Sequence, residues 1–137
     1  MKRVTAVYAI LWNPKKTKVL MVHNKDTDTW TLPGGVVEGN EVLKEALVRE
    51  VYEETGLQVE PQTIVAVNER IFEEKQEHAL FLTFQAAILA GEITILNPDE
   101  ISQIQWKSTD EANRLMPYFK AGIEVLRTRS VPYTFQN

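Results

Sequence analysis

The segment LPGGVVEGNEVLKEALVREVYEETGL, Leu32 to Leu57, constrains the fold of this chain more than any other part of it. Thr31 to Gly35 reads as a short extended piece ending in a tight turn. A helix follows. Asn40 is placed to cap it, Glu41 favours its first turn, and it runs to about Thr55. Gly56 stands where a left-handed residue is wanted to end it. A helix turns about 100° per residue, so Glu50, Glu53 and Glu54 fall within one arc of about 100°. Glu41, Lys44, Glu45 and Tyr52 mark the outer face, whereas Leu43 and Ala46 share the sector of the three glutamates. The carboxylates are therefore expected where the helix approaches the rest of the fold.

Like charges in such a place repel one another, and desolvation sharpens the repulsion. A hard cation relieves it best, and an oxygen-rich site suits Mg²⁺ or Mn²⁺. Magnesium shares its shell with substrate phosphates, so the pattern points to phosphoryl or pyrophosphoryl chemistry. The same residues also read as a charged surface helix with i,i+4 pairs, Glu45–Arg49 and Arg49–Glu53. The glutamates alone leave both readings open. The Gly-Gly pair before the helix favours a site, because glycines let backbone carbonyls or amides approach a ligand.

The remainder of the 137 residues is strand-rich. Val4 to Trp12 and Lys18 to His23 flank the turn Asn13-Pro14-Lys15-Lys16 and read as a hairpin. Asn24 to Thr29 reads as a loop. Leu57 to Glu60 is a short strand ended by Pro61, and Ile64 to Phe72, His78 to Leu89 and Ile104 to Lys107 are further strands. Asp110 caps a helix to Met116, Pro117 begins a last helix to about Arg127, and the tail from Ser130 is loose. Strands and helices that do not strictly alternate predict a mixed sheet with helices packed against it.

Composition limits the function classes. The length suits one domain over residues 1–137. An apolar fraction of 44% and a charged fraction of 25% suit a globular protein. A net charge of −4 argues against broad binding to nucleic acid or anionic membranes. The chain has no cysteine, which excludes disulfides, thiolate catalysis and Cys-ligated zinc. The N-terminal apolar run lacks a cleavage pattern, and no segment is long enough to span a bilayer. A cytoplasmic protein is expected.

Taken whole, the stretch resembles the Nudix box. From Gly35, Glu41 follows after five residues, Arg49-Glu50 after seven more, then Val51, a free position at Tyr52, Glu53-Glu54, Thr55, Gly56 and Leu57. All nine specified positions match over 23 residues. The resemblance implies an α/β/α sandwich around a mixed β-sheet. It implies hydrolysis of a pyrophosphate bond in a nucleoside diphosphate linked to another group, with Mg²⁺ or Mn²⁺ as cofactor. By resemblance Glu50, Glu53, Glu54 and the Gly34 carbonyl are metal ligands, and Glu50 or a glutamate outside the box deprotonates water. Arg49 would hold the cluster in position, and Glu41 would support it. Glu100, in NPDEISQIQW, is the candidate for the additional glutamate, although Asp99-Glu100 also reads as a short turn after Pro98. Glu73, Glu74 and Glu77 are rivals on another loop.

Family members that process oxidised nucleotides often carry arginines where this chain has His23-Asn24-Lys25, so His23 and Lys25 are the substitute phosphate-binding candidates. Trp30 is the leading base-stacking candidate, ahead of Trp12, Trp106, Tyr118 and Phe119, each of which also suits a core. A nucleoside triphosphate, oxidised or not, is the expected substrate. ADP-ribose or a nucleotide sugar comes next, for which the marker proline is absent near Phe72-Glu73. A nucleotide-binding regulator and an isomerase on the same scaffold are the readings of other classes. An exposed sheet edge or the last helix offers a surface for a homodimer.

Overall fold

A computed structural model describes residues 1–137. The strands are β1 (Lys2–Ile10), β2 (Lys18–Asn24), β3 (Thr29–Thr31), β4 (Gly34–Val36), β5 (Leu57–Phe72), β6 (Glu77–Gly91) and β7 (Ile101–Ser108). The helices are α1 (Leu43–Thr55) and α2 (Thr109–Leu115), followed by a 3₁₀ helix at Ile123–Thr128. One sheet has the order β4-β1-β6-β5, and the other β3-β2-β7. The first is mixed, because β1 runs parallel to β6 while β1–β4 and β5–β6 are antiparallel.

Alternation along β1 assigns the layers. Val7, Ala9 and Leu11 point to one side, into a core shared with Ala46, Leu47 and Val51 of α1 and with Phe84 of β6. Ile10 and Trp12 point to the other, into a core with Met21, Ala112, Met116, Ile123 and Leu126. Helices therefore cover both faces, which is the α/β/α sandwich expected. No helix is long and apolar enough to cross a membrane.

Several local expectations are corrected. The Gly-Gly pair is not a tight turn: Gly34 and Gly35 lie in β4, paired with Tyr8 and Val7. Glycine is needed at Gly34 because a Cβ there would collide with the Val7 carbonyl oxygen and lie 2.7 Å from Tyr8 Cα. Asn40 does not cap α1. The cap position is Val42, whose N–H donates to the Glu45 carboxylate at 2.9 Å, while Glu38 and Glu41 close a turn just before it. Gly56 does end the helix in the left-handed region, φ 78°, its N–H donating to the Tyr52 carbonyl.

Ser108, not Asp110, caps α2, its hydroxyl accepting from the Glu111 N–H at 3.2 Å. No helix runs from Pro117, because Gly122 adopts φ 86° and the 3₁₀ helix begins after it, with Asn113 accepting from the Ile123 N–H. β1 and β2 meet as a hairpin only at the Trp12–Val19 bridge and then enter different sheets. Pro61 does not end a strand. It lies within β5 between register shifts, which an outer strand tolerates. The tail is docked. The Val131 N–H donates to the Ile64 carbonyl at 2.7 Å, and the Tyr133 ring meets Phe84 edge-on at 5.5 Å.

Replacing Gly34 by Ala must push β4 away from β1. Gly34→Ala is expected to lose about 1–3 kcal/mol of stability, the usual range for overpacking. Urea unfolding monitored by circular dichroism measures this, and an unchanged midpoint would contradict the close approach.

Candidate active site

The site is built on α1 and the two segments that face it. Ala46, Leu47, Val51 and Thr55 are buried and fix the rotation of the helix. With that face pinned, Arg49 and Glu50 are partly buried and Glu53 lies at the rim. The Arg49 guanidinium is the hub. Its Nε and one terminal nitrogen donate to both oxygens of Glu41, at 2.6 and 2.8 Å. Its other terminal nitrogen donates to Glu50 at 2.9 Å and to Glu53 at 3.3 Å. A further bond reaches the Val36 carbonyl at 3.2 Å. Of the two helical pairs read from spacing, Arg49–Glu53 forms, whereas Glu45 turns back to the Val42 N–H. The fork geometry raises the pKa of Arg49 and holds Glu41 down at about 2, chiefly through their shared hydrogen bonds.

Glu50 and Glu54 are in the opposite situation. The Gly34 N–H donates to Glu54 at 3.0 Å, and a Cβ on Gly35 would lie 2.5 Å from the Glu50 carboxyl. β4 thus brings bare backbone against both side chains. Burial pushes Glu54 up to about 8, aided by the charges of Glu50, Glu100 and Glu53 and opposed by the Gly34 N–H. Burial also raises Glu50, with Arg49 opposing. These are carboxyls whose charge lacks a full partner.

Glu100 lies exposed in the turn before β7, and its charge acts on Glu54 across the space between. Glu73 and Glu74 sit exposed in the β5–β6 turn, and neither acts on Glu50 or Glu54. His23 and Lys25 make no hydrogen bond to the carboxylates of these glutamates and engage the Pro98–Ser102 segment instead, Lys25 through the Glu100 backbone carbonyl among others. Trp30 meets His23 edge-on at 5.3 Å and lies under the Lys107 ammonium. Trp12, Trp106 and Phe119 pack in or against the two cores. Tyr8 is a neighbour that sequence reasoning missed. Burial pushes its phenol up to about 12, and the charges of Glu54 and Glu50 add to this. Nothing local distinguishes Tyr8 from any strand aromatic; only the β1–β4 pairing sets it beside Gly34.

The donor set fits a hard divalent cation in kind, since every side-chain donor is a carboxylate oxygen, and burial raises the pKa of two of them, Glu50 and Glu54, whose charged forms a cation would stabilise. No three acidic or histidine side chains already form a cage. Arg49 holds Glu50 and Glu53, and Gly34 holds Glu54, so a cation must compete with these bonds.

The chain resembles known proteins along most of its length. A solved Nudix hydrolase from Nitrosomonas europaea superposes with a TM-score of 0.82 at 21% identity, covering 98% of each chain. A MutT protein structure from Methanosarcina mazei gives 0.74 at 26% identity, covering 93% of this chain and 94% of that one. In sequence, a MutT-like protein of Streptomyces ambofaciens is 30% identical over 99 residues, 72% of this chain and 60% of that protein. An ADP-ribose pyrophosphatase of Methanocaldococcus jannaschii is 32% identical over 82 residues, 58% of this chain and 48% of that protein. The chain thus spans about half to three-fifths of the length of these two curated relatives. The pattern of the NUDIX domain matches residues 2–127, and the chain belongs to that family.

Proposed function

We propose that residues 1–137 form one Nudix domain that hydrolyses a pyrophosphate bond in a nucleoside diphosphate linked to another group, with Mg²⁺ or Mn²⁺ as cofactor. The observation that carries the reading is the set of glutamates on one side of α1, two of them with raised pKa values from burial. The cation, when bound, supplies positive charge that offsets the pyrophosphate oxygens and makes water easier to deprotonate. Glu50, Glu53, Glu54, Glu100 and the Gly34 carbonyl are the groups that would hold it. Glu50 or Glu100 accepts the proton from the attacking water, a step worth about 10²–10⁴ in rate. Arg49 keeps Glu50 and Glu53 oriented while its charge limits their repulsion. Gly35 leaves the Glu50 carboxyl the room that a side chain would take.

A nucleoside triphosphate, normal or oxidised, is the proposed substrate class. A putative 8-oxo-dGTP diphosphatase of Bacillus subtilis that is 32% identical over 91 residues supports the oxidised member of that class by analogy. The likeness to an ADP-ribose pyrophosphatase favours ADP-ribose as the second candidate. The deciding experiment is a coupled phosphate-release screen with Mg²⁺ or Mn²⁺ over triphosphates, ADP-ribose, nucleotide sugars and dinucleoside polyphosphates. EDTA-sensitive turnover supports the proposal. Silence across the panel, with a nucleotide still raising the melting temperature, would replace it by a binding protein.

Glu53→Gln keeps the shape and removes one charge. Turnover at saturating Mg²⁺ is expected to fall by about 10²-fold or more while the circular dichroism spectrum is retained. Parental turnover would remove Glu53 from the site.

Glu54 gives a pH signature in the metal-free protein. Its folded-state pKa of about 8 exceeds the ordinary 4.5, so the folded chain keeps a proton that the unfolded chain loses. The stability this group contributes is complete below the lower value and lost as pH rises through the upper one. In EDTA, the unfolding free energy of the parent is expected to decline across that window relative to Glu54→Gln. A constant difference between the two proteins would show that Glu54 is not held protonated.

A further inference from the structure

Three bonds tie the β2–β3 hairpin to the segment that carries Glu100. The His23 ring Nδ1 is 2.5 Å from the Ser102 hydroxyl. The Lys25 backbone N–H donates to the Glu100 carbonyl at 2.8 Å, and the Lys25 ammonium to the Pro98 carbonyl at 2.8 Å. The segment is also turned on itself, since the Glu100 and Ile101 N–H groups both donate to the Asn97 carbonyl. The Glu100 carboxylate has no hydrogen bond or ion pair of its own, so its place depends on where this backbone is held.

His23 is itself held. Its Nε2 lies 2.7 Å from Asp28, and the Trp30 ring meets it edge-on. Asp28 adopts φ 52°, a left-handed conformation that Asp tolerates better than most residues. The register of β2 against β7 shifts between His23 and Asn24, where the Glu100 segment enters β7.

We propose that His23 and Lys25 are positioning residues, which fix the Pro98–Ser102 segment so that the Glu100 carboxylate stays beside the glutamates of α1. They act through the segment and do not touch the substrate. This inference rests on the metal-binding reading of that cluster, and it gives His23 and Lys25 a different task from phosphate binding.

A double-mutant cycle tests it with two readouts, Mn²⁺ binding followed by the EPR signal of the free ion, and steady-state kinetics. Glu100→Gln, which removes one of the groups that would hold the cation, is expected to weaken Mn²⁺ binding and lower kcat by about 10²-fold. His23→Ala should lose about 10-fold in both with KM unchanged, as for outer groups that orient ligands, and Lys25→Met a smaller factor. His23→Gln, which can still reach Ser102, should recover part of the loss. The double variant His23→Ala with Glu100→Gln should be no worse than Glu100→Gln alone. Losses that multiply, parental Mn²⁺ binding by Glu100→Gln, or a rise in KM for His23→Ala and Lys25→Met would each overturn the inference. A parent protein with no turnover on any substrate would defeat the hydrolase reading instead, and the Mn²⁺ cycle would still decide the positioning.

Discussion

One guanidinium determines how the acidic side of this molecule can exist. Arg49 spends its planar fork on both oxygens of Glu41 and its remaining nitrogen on Glu50 and Glu53. A lysine, with a compact charge, would satisfy one carboxylate and leave the others facing each other. The pairing is selective as well as stabilising. It removes Glu41 from the titrating set and leaves Glu54 outside its reach, where burial and the neighbouring carboxylates outweigh the Gly34 N–H. The cluster is therefore divided into a carboxylate fixed as an anion and others whose charge is still available to a cation.

The second constraint is steric. β4 approaches both β1 and α1 so closely that side chains at Gly34 and Gly35 have no space. The backbone N–H of Gly34 can then reach Glu54 directly, and the Glu50 carboxyl lies over Gly35. The helix and the short strand are thus two walls of one narrow space, with Tyr8 beside it. Rigid elements supply these walls, while the Glu100 turn is held from outside by the hairpin next to it.

What could be read from the sequence follows from the range of the interactions involved. The shared face of Glu50, Glu53 and Glu54 is fixed by helical spacing, and the end of α1 at Gly56 by local backbone preference, so both were legible. The sandwich followed from strand patterning and from the resemblance of the box. Asn40 looked like a cap because its type suits one, yet the turn closed by Glu38 and Glu41 moves the helix start to Leu43. Pro61 looked like a strand terminator because its tolerance depends on β5 being outermost, a property of the whole sheet. Tyr8, the Gly34 collision with Val7, and the link from His23 to Ser102 all join residues distant in sequence. No local pattern encodes them.

The outer strand β5 has a consequence for the life of the protein in a crowded solution. β5 and β6 form a long ribbon of 16 and 15 residues, the kind of edge on which stray strands grow. Here Pro61 withholds a donor, the register shifts around Ile64 break the straight run, and Val131 occupies the Ile64 carbonyl. The last residues, beyond the span of the family pattern, thereby cover the edge of the ribbon at one point, Ile64. Trimming them would uncover an unpaired carbonyl beside exposed Val67, and the foreseeable failure is aggregation of otherwise intact molecules rather than unfolding.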